Sequence, residues 1–183
     1  MLDDLSDRAV LIRTNARSYS SQSDDVLLAR PSQGQWCIAE IFEHLNLSNS
    51  IYIRSIISAI ERARETAVDD NYKTGWLGDL LYNKTLPRQD GSVFKMKAPR
   101  FLQPTGSTDI TQIFADYFEQ LDVLDKILQK ARMVNLQKIK IPLSFAAIVK
   151  LRLGDNLRYL IAHHERHLLQ ASKTLGKVAA ISQ

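Results

Sequence analysis

Thr108-Asp109-Ile110-Thr111-Gln112-Ile113-Phe114-Ala115-Asp116-Tyr117-Phe118-Glu119-Gln120-Leu121-Asp122-Val123-Leu124-Asp125-Lys126-Ile127-Leu128-Gln129-Lys130-Ala131 is the stretch whose reading decides the fold class. Ile110, Phe114, Tyr117, Leu121, Leu124, Leu128 and Ala131 step by four, three, four, three, four and three. Residues so spaced share one side of an α-helix, whereas a strand turns its side chains over every second residue. The spacing predicts a long amphipathic helix from about Thr108 to Met133, with Thr108 or Ser107 as its N-cap.

The same periodicity extends in both directions. Leu5, Ala9, Ile12, Ala16 and Tyr19 form one stripe of a first helix that frays near Ser20–Ser23. A short turn from Asp24 to Ala29 and a loop from Pro31 to Gln35 follow. A second long helix, from about Cys37 to Ala67, carries Ile38, Ile41, Phe42, Leu45, Tyr52, Ile56 and Ile60, with no internal Pro or Gly. Residues 69–107 break the pattern and hold Gly75, Gly78, Pro87, Gly91, Pro99, Pro104 and Gly106, with one short helix around Trp76–Tyr82. A connection of that length crosses a whole domain and is often functional. After Pro142 an apolar turn, Leu143 to Val149, leads to a last helix from about Leu153 to Thr174, with Gly176 just past its end. The expected architecture is all-α: one domain over 1–183, a four-helix bundle with a long crossover between its second and third long helices.

Composition narrows the function. Lys+Arg number 24 against 20 Asp+Glu, and the basic residues are dispersed, the densest runs being Lys95, Lys97 and Arg100, then Lys138 and Lys140. That mild, scattered excess argues against nucleic-acid binding. Cys37 is the sole cysteine, so no internal disulfide forms. The N-terminal residues lack the basic and apolar regions of a signal peptide, and no apolar run reaches the roughly 20 residues of a membrane span. The expected location is the cytoplasm, away from membranes.

The chemistry lies in the histidines. There are four, and they occupy two places: His44 on the second long helix, and His163, His164 and His167 on the last. A single histidine on a half-apolar face is ordinarily a hydrogen-bonded boundary residue. Two on one helix with a third from a facing helix complete a three-nitrogen site for a divalent metal with open positions. At about 100° per residue, His167 falls inside the edge of the stripe formed by Leu153, Leu157, Leu160, Leu168 and Ala171. His163 falls just beyond that edge, and His164 lies nearer its centre. Periodicity therefore leaves two candidate pairs, His163 with His167 and His164 with His167.

The residues around these histidines resemble the DinB/YfiT-like superfamily, most closely its DinB-2 branch. The resemblance rests on Arg30-Pro31, on Gly34-x-Trp36-Cys37-Ile38-Ala39-Glu40-Ile41-x-x-His44-Leu45, and on His163-His164-Glu165-Arg166-His167-Leu168-x-Gln170. It implies a bundle in up-down-down-up order. It also implies a metal site of three histidines, often holding nickel or zinc, whose ligands by matching position are His44, His163 and His167. The family includes metal-dependent hydrolases and S-transferases that act with low-molecular-weight thiols. One departure is Cys37, which stands where the family often has a helix-capping Ser. Cys37 is expected to pack rather than to react, since nothing basic adjoins it in sequence.

The expected function is that of a metal-dependent enzyme, hydrolase or thiol S-transferase, acting on a small molecule. The alternative is a non-catalytic bundle acting through self-association, as a homodimer, or through a partner. Glu165 points away from both implied ligands of its helix and is expected to be a solvated or supporting residue. Tyr52 is expected in the core and Arg166 in a surface ion pair. Tyr72, Trp76, Tyr82 and Phe94 of the crossover are candidates to roof the cleft or simply to bury the end of the bundle.

Overall fold

The stripe that starts at Ile110 forms one helix, and three other long stripes do the same. The computed structural model describes residues 1–63, 72–88, 92, 94, 97–144 and 146–181. In chain order the elements are α1 (Leu2–Ser20), α2 (Asp24–Leu28), α3 (Ile38–Arg62), α4 (Trp76–Thr85), α5 (Ile110–Ala131), β1 (Lys140–Leu143), β2 (Ala146–Arg152) and α6 (Leu153–Ile181). A 3-10 turn at Arg100–Leu102 precedes α5. The protein is mostly helical. α3 ends at Arg62 with its C-cap Ala63 extended, short of the expected Ala67, and residues 64–67, with Gly91 and Lys95 of the crossover, lie outside the described residues.

The apolar stripes become the core. Leu5, Ala9, Ile12, Ala16 and Tyr19 are the buried residues of α1, and every stripe residue of α5 from Ile110 to Ala131 is buried. α1 packs on α5 and α6, and α3 packs on the same two helices. Phe42, fully buried, is ringed by Tyr19, Phe114 and Tyr117 at centroid separations of 5.8, 4.6 and 4.9 Å. Truncating such a side chain to Ala leaves a cavity and costs about 3–5 kcal/mol.

The helix starts are chemically closed. At α3 the Glu40 carboxylate accepts from the Cys37 backbone N–H at 3.0 Å, and the Cys37 thiol faces the Glu40 backbone N–H. A capping box thus forms with sulfur in place of the hydroxyl. Cys37 is buried, and burial pushes its thiol pKa up. At α5 the cap is Asp109, whose carboxylate accepts from the Gln112 N–H at 3.0 Å, rather than Thr108 or Ser107.

Two expectations are corrected. The segment around Pro142 is an antiparallel hairpin, not an apolar turn: Lys140 pairs with Arg152, Ile141 with Leu151 and Pro142 with Lys150. Ile141, Leu143 and Leu151 are buried, whereas Ile148 is 97% exposed. The nearly unbroken apolar run from Leu143 to Val149 hides that period-two alternation. A lone hairpin is marginal in water, and this one is held by packing on α3 and α6. The hydroxyl of Tyr52 on α3 accepts from the Ser144 N–H at 3.3 Å and from its Oγ–H at 3.1 Å. The second correction is the end of α6, which runs through Gly176 to Ile181. A helical glycine costs only about 1 kcal/mol, and burial of Val178 beyond it offsets that cost.

α4 is clamped onto the start of α6. Asp155 of α6, 1% exposed, accepts from the Tyr72 hydroxyl at 2.5 Å and from the Gly75 N–H at 3.1 Å. Gly78 approaches so closely that a Cβ there would lie 2.2 Å from the Asp155 Cγ.

Candidate metal centre

Because α3 packs along α6, His44 meets the histidines of the last helix. The ring centroids of His44 and His163 are 5.4 Å apart, those of His44 and His167 4.6 Å, and those of His163 and His167 4.5 Å. One ring nitrogen from each lies within 4.8 Å of the other two. No carboxylate or thiol joins this group among the described residues.

Two rings are oriented by acceptors on their outer side. The Nδ1–H of His44 donates to the main-chain carbonyl of Leu102 at 2.6 Å. The Nδ1–H of His167 donates to Gln170 Oε1 at 2.9 Å. A carbonyl can only accept, so each Nδ1 carries the proton and each Nε2 keeps its lone pair. The Nδ1 of His163 is buried with no hydrogen-bond partner among the described residues. Such an orphan costs about 1–3 kcal/mol unless something satisfies it.

The electrostatics agree. Burial holds His44 below the usual histidine range, and it holds His163 and His167 well below it. The mutual proximity of the rings and the nearby charge of Arg166 push in the same direction. All three are therefore neutral near pH 7, the form that binds metal. Fixed tautomers, an unsatisfied nitrogen and neutral rings make this donor set fit a divalent cation of borderline softness.

His164 faces elsewhere. Its Nδ1 shares a hydrogen bond with the Tyr117 hydroxyl of α5 at 2.8 Å, it is 1% exposed, and burial lowers its pKa to about 4. The structure thus brings His163 and His167 to His44 and keeps His164 apart. The physical reason is azimuth. The centre of the α6 stripe points into the core, and the groove shared with α3 lies at the flank.

Other candidates fall into different places. Glu165 receives a bidentate ion pair from Arg8 of α1, both contacts at 2.7 Å. Tyr52 is a core residue, 1% exposed. Arg166 makes no ion pair with any described carboxylate, contrary to expectation. Its guanidinium donates to the Phe94 carbonyl instead, since half-burial beside the cluster removes it from the surface acids. The crossover aromatics do not contact the histidine rings among the described residues. Tyr72 packs on Gly154, Tyr82 lies under Arg8 and Arg158, and Trp76 is 79% exposed. The crossover reaches the centre through its backbone, at Leu102 and Phe94.

Sequence reasoning assigned no role to the groups that frame the rings. Trp36 lies against His44 at 5.1 Å and Tyr159 stacks on His163 at 5.9 Å. Tyr159 was legible in principle, four residues before His163 and so on the same face. Gln170, three residues after His167, was legible in the same way. Leu102 was not, because its contribution is a main-chain carbonyl.

Comparison with curated proteins and with solved structures gives no match. The sequence model of the DinB superfamily, by contrast, matches residues 12–171. That span begins inside α1, ends inside α6 and contains all three clustered histidines, so the match covers both the helical framework and the centre it builds. This chain belongs to the DinB superfamily, whose members bind divalent metals.

Proposed function

We propose that this protein is a metal-dependent enzyme, and that thiol S-transfer is its reaction. In this reading His44, His163 and His167 hold one divalent ion, nickel or zinc. The four long helices form a bundle running up-down-down-up, with the crossover between α3 and α5 closing one end. The observation that carries the reading is the convergence of three neutral imidazoles, two of them braced from outside, with no carboxylate among them in the described residues.

When bound, such an ion acts as a Lewis acid and lowers the pKa of a water or thiol at an open position. The remaining chemistry belongs to the chain. Leu102 and Gln170 keep the Nδ1 protons in place, so the ligand nitrogens stay aimed. Neutral ligands leave the site's positive charge undiminished. Among the described residues no side-chain base is at hand, because Glu165 is held by Arg8. A free thiol, with a pKa of about 8.5, loses its proton far more readily than water at about 15.7. A bound ion lowers both values, so the thiol keeps its lead, and this supports thiol transfer over hydrolysis. A low-molecular-weight thiol would give its proton to solvent, and its sulfur would bond to an electrophilic carbon. The leaving group would depart with the electron pair.

The test is elemental analysis of untagged protein, wild type and His44→Ala, followed by thiol-consumption assays with alkyl and aryl electrophiles. About one metal per chain, lost in the variant, together with metal-dependent thiol consumption supports the proposal. Metal binding with ester or amide hydrolysis and no thiol consumption would favour the hydrolase alternative. No metal uptake from nickel, zinc or manganese would leave a non-catalytic bundle.

A further inference from the structure

Arg166 is the charged side chain at this centre that the proposed reaction leaves unused. It stands three residues after His163 and one before His167 on α6. Residues three apart on a helix have Cβ atoms about 5–6 Å from each other. On the helical wheel Arg166 lies about 60° from His163, on the same side as Tyr159 at about 40°. Its charge is felt at His44, His163, His167 and Tyr159.

The residue is half-buried, and its pairing is incomplete. Arg8 and Arg158, also partly buried, each meet carboxylates, Glu165 and Asp79 respectively. Arg166 meets none among the described residues. One Nη donates to the Phe94 carbonyl, which takes up a hydrogen bond without neutralising the charge. The guanidinium fork retains donors with no acceptor among the described residues, suited to a bidentate anion.

Charge balance then constrains the ligand. A divalent ion and one guanidinium bring three positive charges, and the three imidazoles contribute none. Uncompensated charge in a half-buried site is costly, so an anion that neutralises it binds preferentially. Building on the metal-dependent reading above, we propose that Arg166 is an anion-recognition residue and that the substrate thiol carries a carboxylate. The sulfur is addressed to the histidine cluster and the carboxylate to the Arg166 fork.

The test uses cobalt(II)-loaded full-length protein, whose visible spectrum reports ligand binding. It is titrated with mercaptoacetate, 3-mercaptopropionate and the uncharged 2-mercaptoethanol. The expected result is half-saturation by at least one mercaptocarboxylate at a concentration tenfold or more below that for 2-mercaptoethanol. In Arg166→Gln the preference falls to near one while cobalt stoichiometry is unchanged, and Arg166→Lys keeps an intermediate preference. No preference in the wild type, or a preference untouched in Arg166→Gln, overturns the proposal. Failure of the wild type to take up cobalt sinks the metal reading instead. In that event the anion site is judged in metal-free Trp76→Phe protein, where Trp36 beside His44 is the remaining tryptophan. Quenching by mercaptoacetate that is lost with Arg166→Gln sustains the site, and no quenching overturns it.

Discussion

The Nδ1–H of His44 donates to the main-chain carbonyl of Leu102 at 2.6 Å, across 58 residues of chain. This bond ties the end of the crossover to the helix that presents the histidine. It also settles which nitrogen of His44 faces the other two rings. Gln170 does the same for His167 from within one helix. The centre is thus braced twice, once by the backbone of a distant segment and once by a side chain one turn away.

Gln170 offers the accessible test of that bracing. Loss of an outer partner typically costs 10–100-fold in metal affinity. Gln170→Ala should weaken metal binding by about that factor in chelator competition, with the circular dichroism unchanged. Gln170→Glu, which keeps an acceptor, should retain most of the affinity. Equal affinities for wild type and Gln170→Ala would show that the hydrogen bond does not orient the ring.

Glu165 should be structural. Glu165→Gln removes one partner of a part-buried bidentate pair with Arg8 and should cost about 1 kcal/mol after allowance for solvent screening. Metal content and turnover should stay within about twofold of wild type. Removing a general base typically costs 10²–10⁴-fold, so a hundredfold loss of turnover at full metal occupancy would reassign the residue.

Two glycines should respond in opposite directions to the same substitution. A Cβ at Gly78 would lie 2.2 Å from Asp155 Cγ, whereas one at Gly176 meets nothing within 4 Å. Gly78→Ala should destabilise by about 1–3 kcal/mol through overpacking. Gly176→Ala, in a helix interior with open space around it, should stabilise by about 1 kcal/mol. Urea denaturation of the two variants measures both, and a neutral Gly78→Ala would mean that α4 is not clamped on Asp155.

His164 sets a pH dependence. Its folded pKa of about 4 lies below the usual value of 6.5, so folding favours its neutral form. The stabilisation is fully present above pH 6.5 and is lost as the pH falls towards 4. For this one residue the loss between pH 7 and pH 5 is about 2 kcal/mol. The three clustered rings shift the same way and steepen the slope. Urea unfolding of metal-free protein at both pH values should show a difference about 2 kcal/mol smaller in His164→Gln than in the wild type. An equal difference in the two proteins would mean that burial does not hold His164 neutral.

Much of the framework was legible because helical periodicity is local. The stripe at Leu5–Tyr19 names the buried face of α1 residue by residue, and that at Ile110–Ala131 names the buried face of α5 except for Ile113 and Ile127. The hairpin at Lys140–Arg152 and the passage of α6 through Gly176 were not legible. Each depends on what the segment packs against, and packing overrides a weak local signal.

The same division runs through the candidate centre. Sequence alone determined that the histidines lie on two helices and that His163 and His167 share a side of one of them. Only the tertiary structure decided that His163, and not His164, turns towards His44. Adjacent residues on a helix differ by about 100°, and His163 falls just beyond the edge of the stripe while His164 lies nearer its centre. The angle at which α3 docks along α6 selects between them. That angle is set by side chains throughout the core, so no short motif contains it.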